Sequence, residues 1–179
     1  EAPATGLSFT DPSMLRAFPH RSGTVALWTR TPPADSNLTG PGSIAWFAFL
    51  RGYRDPHWSL NAYSIAAGPP VNAEGKPVPV YSGRGLSPAV DGRWHHLAMT
   101  WQGKTAVVYL DGSPAIAFLR EDPDIRALVE TYSLQIGCGR GQFANSVLDD
   151  FAVFGRALAP EEVAGLAAGT APLRTSAQP

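Results

Sequence analysis

The sequence predicts an all-β, antiparallel sandwich of two layered sheets, and three observations point that way. Residues 91–112, DGRWHHLAMTWQGKTAVVYLDG, read as two strands joined by a short glycine-containing loop and followed by an Asp-Gly turn. Residues 23–31 alternate, with Val25, Leu27 and Thr29 on one face and Thr24, Ala26, Trp28 and Arg30 on the other. Both faces carry apolar residues, as an inner strand of a layered sandwich requires. The third observation is composition: 18 glycines and 17 prolines in 179 residues suit many short strands separated by turns.

The remaining elements follow in chain order. Residues 1–6 are a lead-in, 7–10 (LSFT) a short first strand, and 13–18 a loop or single helical turn. Residues 32–42 form a loop that contains an Asn37-Leu38-Thr39 sequon, read as a chance match. Residues 43–50 (SIAWFAFL) are an apolar strand, 51–57 a polar and aromatic connection, and 58–65 (WSLNAYSI) an alternating strand. Residues 66–79 are a Gly- and Pro-rich loop, with a short strand at 80–82. Strand 94–101 leads through the loop 102–104 to the β-branched strand 105–110. The turn at Asp111-Gly112 then leads to a returning strand at 114–118. Residues 120–129 are a charged connection with room for a short helix behind an Asp124 N-cap. Strand 132–137, the loop 138–145 and strand 147–154 precede a helix at 160–168. That helix has Pro160 at its first position, Glu161 and Glu162 in its first turn, and Gly169 just past its end. One domain spans 1–169, and residues 170–179 read as a disordered tail.

Composition narrows the function. A net charge of −1 provides no strong field for nucleic acid or an anionic membrane. No apolar run approaches the roughly 20 residues of a membrane-spanning helix. Cys138 is the single cysteine; with no histidine near it in sequence, it reads as a small buried apolar residue rather than a nucleophile. The chain begins EAPATG, as expected of a mature chain after signal removal or of a domain from a longer protein.

Three stretches carry a family resemblance. W-H-H-L-A-x-T-W-x-G-K-x-x-x-Y-L-D-G at 94–112, VLDDFAVFGRAL at 147–158 with the PEEVAGL that follows, and GTVALWTR at 23–30 occur in the family's order and frame residues 23–166. The chain resembles the laminin G-like, concanavalin A-like lectin/glucanase domains. The resemblance implies a two-sheet jellyroll β-sandwich with a short C-terminal helix, in a secreted or cell-envelope protein. The fold hosts lectins, adhesion modules, enzymes and spacers, so the ligand has to be argued from residues.

A glycosidase needs two carboxylates across a cleft, about 5–10 Å apart. Glu121, Asp122 and Asp124 come nearest, but Pro123 interrupts them; Asp149 and Asp150 are adjacent and fall on opposite faces of a strand. A non-enzyme is therefore expected. His95 and His96 also face opposite ways, a poor chelate, and read as packing and hydrogen-bonding residues. The resemblance implies one structural calcium at Asp149, with Asp11 or backbone oxygens completing part of the set; the other reading of Asp149 is a carboxylate bonded to backbone amides. Sugar binding calls for an aromatic platform flanked by paired polar groups. Tyr53, Trp58 and Arg51, supported by Asn61 and Arg140, are the candidate set, whereas Trp28, Trp46, Trp94 and Trp101 are assigned to packing. The expected function is a carbohydrate-binding, lectin-like recognition module acting on a glycan or cell-surface protein, as part of a larger multidomain chain. The alternatives are a protein-adhesion or spacer domain without a glycan site, and a hydrolase with carboxylates drawn from separate strands.

Overall fold

A computed structural model describes residues 7–9, 11, 13, 17–19, 21–31, 46–51, 56–61, 65–67, 89, 91–119, 133–136, 138–139, 142–143 and 146–170. Among these residues the chain forms two five-stranded antiparallel sheets, a two-stranded ribbon and one helix. The first sheet runs in the order β1 (Leu7–Phe9), β9 (Ser133–Ile136), β3 (Trp46–Arg51), β4 (Pro56–Asn61), β5 (Ile65–Ala67). The second runs β12 (Val147–Phe154), β2 (Ser22–Arg30), β6 (Trp94–Gln102), β7 (Thr105–Leu110), β8 (Ser113–Leu119). The ribbon pairs β10 (Cys138–Gly139) with β11 (Gln142–Phe143).

The strict period of two places the core. Val25 and Leu27 of β2, Leu97, Met99 and Trp101 of β6, and Ala106 and Val108 of β7 meet Leu134 of the opposite sheet in one buried cluster, with Ile136 packed against it. The predicted faces of β2 are therefore the observed ones. Trp101 is the largest side chain in this cluster and is 2% exposed. Its indole N–H donates to the Pro19 carbonyl at 2.8 Å, and Phe18 stacks on it at 6.1 Å between ring centroids. Trp101 pairs with Gly23, and a Cβ on Gly23 would lie 2.5 Å from the indole ring.

The other face of the second sheet carries a smaller cluster. Ala26, Ala98 and Tyr109 are covered by Leu158 and by Val163 of helix α1 (Pro160–Ala167). Thr24, fully buried, fastens the approach to that helix: its hydroxyl donates to the Arg156 carbonyl and accepts from the Leu158 amide, both at 2.9 Å. Glu162 accepts from the Ala159 amide at 2.9 Å and takes a two-pronged bond from Arg156 at 2.6 and 2.5 Å. The Arg156 bond first, then the Ala159 amide, holds the Glu162 carboxyl down to about 2. At the far end, amides 168–170 return to carbonyls 164–166, a Schellman-type closure.

The sequence expectations hold for the long, strongly alternating strands and bend where a turn interrupts a pattern. The single strand expected at 58–65 is two strands: Leu60 of β4 pairs with Ile65 of β5, so the chain has reversed between them. Alternation reads the same through a hairpin as along a strand, so the pattern conceals the reversal. The loop expected at 138–145 contains the β10–β11 ribbon. Asp149 and Asp150 do not alternate as in a regular strand: β12 carries an extra residue between Asp149 and Ala152, Asp150 has φ +49°, and both side chains are exposed. Thr170 is held by the Gly165 carbonyl, so the described chain runs one residue into the expected tail. The sequon, the strand at 80–82, the helix at 120–129 and residues 171–179 lie outside the described residues.

Gly23→Ala forces its methyl into the Trp101 ring, and overpacking of this kind costs about 1–3 kcal/mol. Thr24→Val keeps the shape but strands a buried amide and carbonyl, at about 1–3 kcal/mol. Denaturant melts are expected to register both losses with an unchanged slope.

Candidate functional site

The end of the second sheet opposite Trp101 concentrates the polar chemistry of the described residues. Here β2 and β6 finish with the pairs Trp28–His96, Thr29–His95 and Arg30–Trp94. His95 points to the core side and His96 to the other, as adjacent strand residues must.

The His95 imidazole lies between two carboxylates. Its Nδ1 is 2.8 Å from Asp111 Oδ2 and its Nε2 is 3.0 Å from Asp91 Oδ1. Burial alone would lower its pKa, but the bonds to Asp111 and Asp91 outweigh that cost and raise it above the usual histidine value. Asp91 is held well below the carboxylate range by the Arg93 amide, then by His95 and the Arg93 side chain. Asp111 sits in the left-handed region at φ +49°, a conformation Asp tolerates, and Gly112 follows at φ +79°. Two consecutive positive φ values make this the tight turn that the Asp-Gly pair predicts. From it, Asp111 Oδ1 accepts from the His96 amide at 2.9 Å, and the Asp111 amide donates to the His96 carbonyl at 2.8 Å. On the core side the network continues through hydroxyls: Thr29 to Thr31 at 3.2 Å and Thr31 to Ser146 at 2.7 Å.

On the opposite face His96 is 3% exposed and meets the Trp28 ring edge-on, 5.4 Å between centroids. Its Nδ1 has no hydrogen-bond partner among the described residues. Burial therefore holds His96 neutral and lowers its pKa. Helix α1 covers the rows of Ala26 and Ala98, while the last row, Val147–Arg30–Trp94, faces solvent. Trp94 is 40% exposed, and the Arg30 guanidinium lies over its ring at 5.4 Å. Exposed Asp149 and half-buried Trp28 form the adjacent row. An aromatic surface with an arginine and a carboxylate at its edge is the equipment with which proteins hold a polyhydroxylated ring.

This platform is not the set picked out in the sequence. Arg51, expected in a connection, ends β3, and Trp58 and Asn61 lie on β4, so the three fall on one hairpin. In its register Trp58 pairs with Leu50, Asn61 with Trp46 and Arg51 with Pro56. Tyr53 and Arg140 lie outside the described residues. Of the residues assigned to packing, Trp101 packs, but Trp94 stands at the rim. A signal existed: Trp94 begins its strand directly after Asp91-Gly92-Arg93, and strand ends bury less than strand middles. Arg30 occupies the matching end of β2, but only the register reveals that the two meet.

Asp11 and Asp149, the expected calcium ligands, are each engaged locally. Asp11 Oδ1 accepts from the Ser13 amide at 2.7 Å and its hydroxyl at 2.6 Å, and Asp149 Oδ1 accepts from the Asp150 amide at 2.9 Å. The described residues contain no group of three or more His, Cys, Asp or Glu placed to hold a metal ion.

A sandwich whose paired sheets close over a shared core, with a helix on one outer face, is a lectin-type architecture. The family model described as the concanavalin A-like lectin/glucanases superfamily matches residues 4–164, and the chain belongs to that family. No curated protein sequence matches it. Among solved structures it is similar to the native heptameric SAP-like pentraxin of Limulus polyphemus, with 17% identity over 96% of this chain and 80% of that one, at a TM-score of 0.58. It is similar to domain 4 of AbnA, a GH43 extracellular arabinanase of Geobacillus stearothermophilus solved with arabinotriose, with 22% identity over 82% and 68% of the two chains, at a TM-score of 0.52. It also matches Trypanosoma rangeli sialidase, with 16% identity over 83% of this chain but 23% of that one, at a TM-score of 0.53. The chain thus spans less than a quarter of the sialidase, and at these identities the likenesses establish the fold alone.

His96 supplies an acid-side dependence. Its folded pKa is lowered, so its contribution is present above about pH 6.5 and is lost as the pH falls and the unfolded chain takes up the proton. His96→Leu removes the titrating group, and thermal melts between about pH 7 and pH 5 should then be flatter than those of the wild type.

Proposed function

We propose that this domain is a non-catalytic carbohydrate-recognition module of a secreted or cell-envelope protein. The observation that carries the reading is the solvent-facing Trp94 with Arg30 over its ring and Asp149 one row away. In this geometry the exposed part of the indole stacks on sugar C–H groups while Arg30 and Asp149 take hydroxyls. Support comes also from family membership and from the arabinanase domain whose structure contains arabinotriose. Trp94 is paired with Arg30 in the β2–β6 ladder, which limits the ordering spent on binding.

The test is a glycan array of plant and bacterial polysaccharide fragments, run with calcium and again with a chelator. Specific binding in both conditions is expected. Trp94→Ala should weaken it at least about tenfold, or about 1.4 kcal/mol, while the protein stays folded. Tyr53→Ala tests the alternative surface in the same format. Absence of binding in either condition would contradict the reading and shift weight to a protein-adhesion or spacer role.

A further inference from the structure

We propose that Asp91, His95 and Asp111 form a proton-held lock on the sheet end that presents Trp94, closed while His95 carries its second ring proton and released when that proton leaves. The argument begins with valence. Both ring nitrogens of His95 face carboxylate oxygens, at 2.8 and 3.0 Å. An ionised carboxylate only accepts hydrogen bonds, and a neutral imidazole has a single N–H. Once the ring is neutral, one nitrogen lone pair confronts a carboxylate oxygen. A ring flip brings no relief, because a carboxylate stands on each side.

The surroundings prevent an easy escape. The His95 side chain is 10% exposed, so the ring has little room to turn away from its two partners. Asp91 is tied by the Arg93 amide at 2.8 Å and guanidinium at 2.5 Å, which keeps it ionised and in place. Asp111 is fixed by its exchange of bonds with the His96 main chain. Among the described residues, the charged and titratable groups on the His95 side are thus Asp91 and Arg93 from the segment before β6 and Asp111 from the β7–β8 turn, while His96, next on its own strand, points to the other face. Its β2 partner, Thr29, and the Thr31–Ser146 pair beyond are uncharged.

The lock reaches three parts of the fold. Asp91 adjoins Gly92, whose amide donates to the Thr31 carbonyl at 2.8 Å. Trp94 immediately precedes His95 and pairs with Arg30. Asp111 adjoins Gly112, where a Cβ would lie 2.9 Å from Ala164 of helix α1. Opening the lock therefore frees the segment that orients the Trp94–Arg30 row and loosens the turn packed beneath the helix. The expected loss lies on the alkaline side: the His95 contribution is complete below about pH 6.5 and is lost as the pH rises through its higher folded value. The effect on a ligand rests on the recognition reading above; the lock itself does not.

Two measurements test it. Nitrogen-15 NMR of the His95 ring should find both nitrogens protonated at about pH 6, with titration above the usual histidine value. Asp111→Asn preserves the left-handed turn and the oxygen that accepts from the His96 amide, while its side-chain N–H₂ can donate to a neutral ring. Between about pH 6 and pH 8.5, the wild-type unfolding temperature should fall by roughly 2–4 °C more than that of Asp111→Asn. A His95 ring with one bare nitrogen at about pH 6 overturns the lock, and so do equal slopes for the two proteins. If no glycan binds at any pH while the melts and NMR behave as expected, the recognition reading fails and the lock stands.

Discussion

Trp101 lying over Gly23 is the contact on which the rest of the structure depends. It fixes the register of β2 against β6, the two strands at the centre of the larger described network. Because side chains alternate strictly, a slip of one residue would exchange the two faces. A slipped β2 would take Val25 and Leu27 out of the core and put Thr24 and Ala26 in their place. Only glycine leaves space for the indole, and only an indole in that position reaches both the Pro19 carbonyl and the Phe18 ring.

The same register fixes the chemistry seven residues away along the ladder. With Gly23 opposite Trp101, Arg30 falls opposite Trp94 and Trp28 opposite His96. The core-facing row ends in the His95 cluster, and the outer row ends in the exposed aromatic–arginine pair. Asp111 joins the two sides: one oxygen goes to the His95 ring and the other to the His96 amide. The pKa values of adjacent histidines are consequently shifted in opposite directions, His95 upward between carboxylates and His96 downward by burial.

Much of this architecture was legible in the sequence, for identifiable reasons. Val25, Leu27 and Thr29 announced their face because period-two alternation over a long strand has one structural reading. The Asp111-Gly112 turn was legible because few residue pairs accept two consecutive positive φ values. The β4–β5 reversal was hidden because Leu60 and Ile65 preserve an alternating pattern across it. The bulge at Asp149–Asp150 was hidden because nothing in two adjacent aspartates signals an added residue. The Trp94–Arg30 platform was the least legible feature. Its two residues are far apart in sequence, and a tryptophan in an apolar strand looks like core until its row on the sheet is known.

Localising a bound sugar on the folded domain tests the central claim most directly. Amide and indole chemical shifts should be followed by NMR while an oligosaccharide identified on the array is titrated in. Perturbations centred on the Trp94 indole, Arg30 and the Trp28–Asp149 row are the predicted result. Perturbations confined to the β3–β4 hairpin around Arg51, Trp58 and Asn61, with the Trp94 indole unmoved, would contradict it.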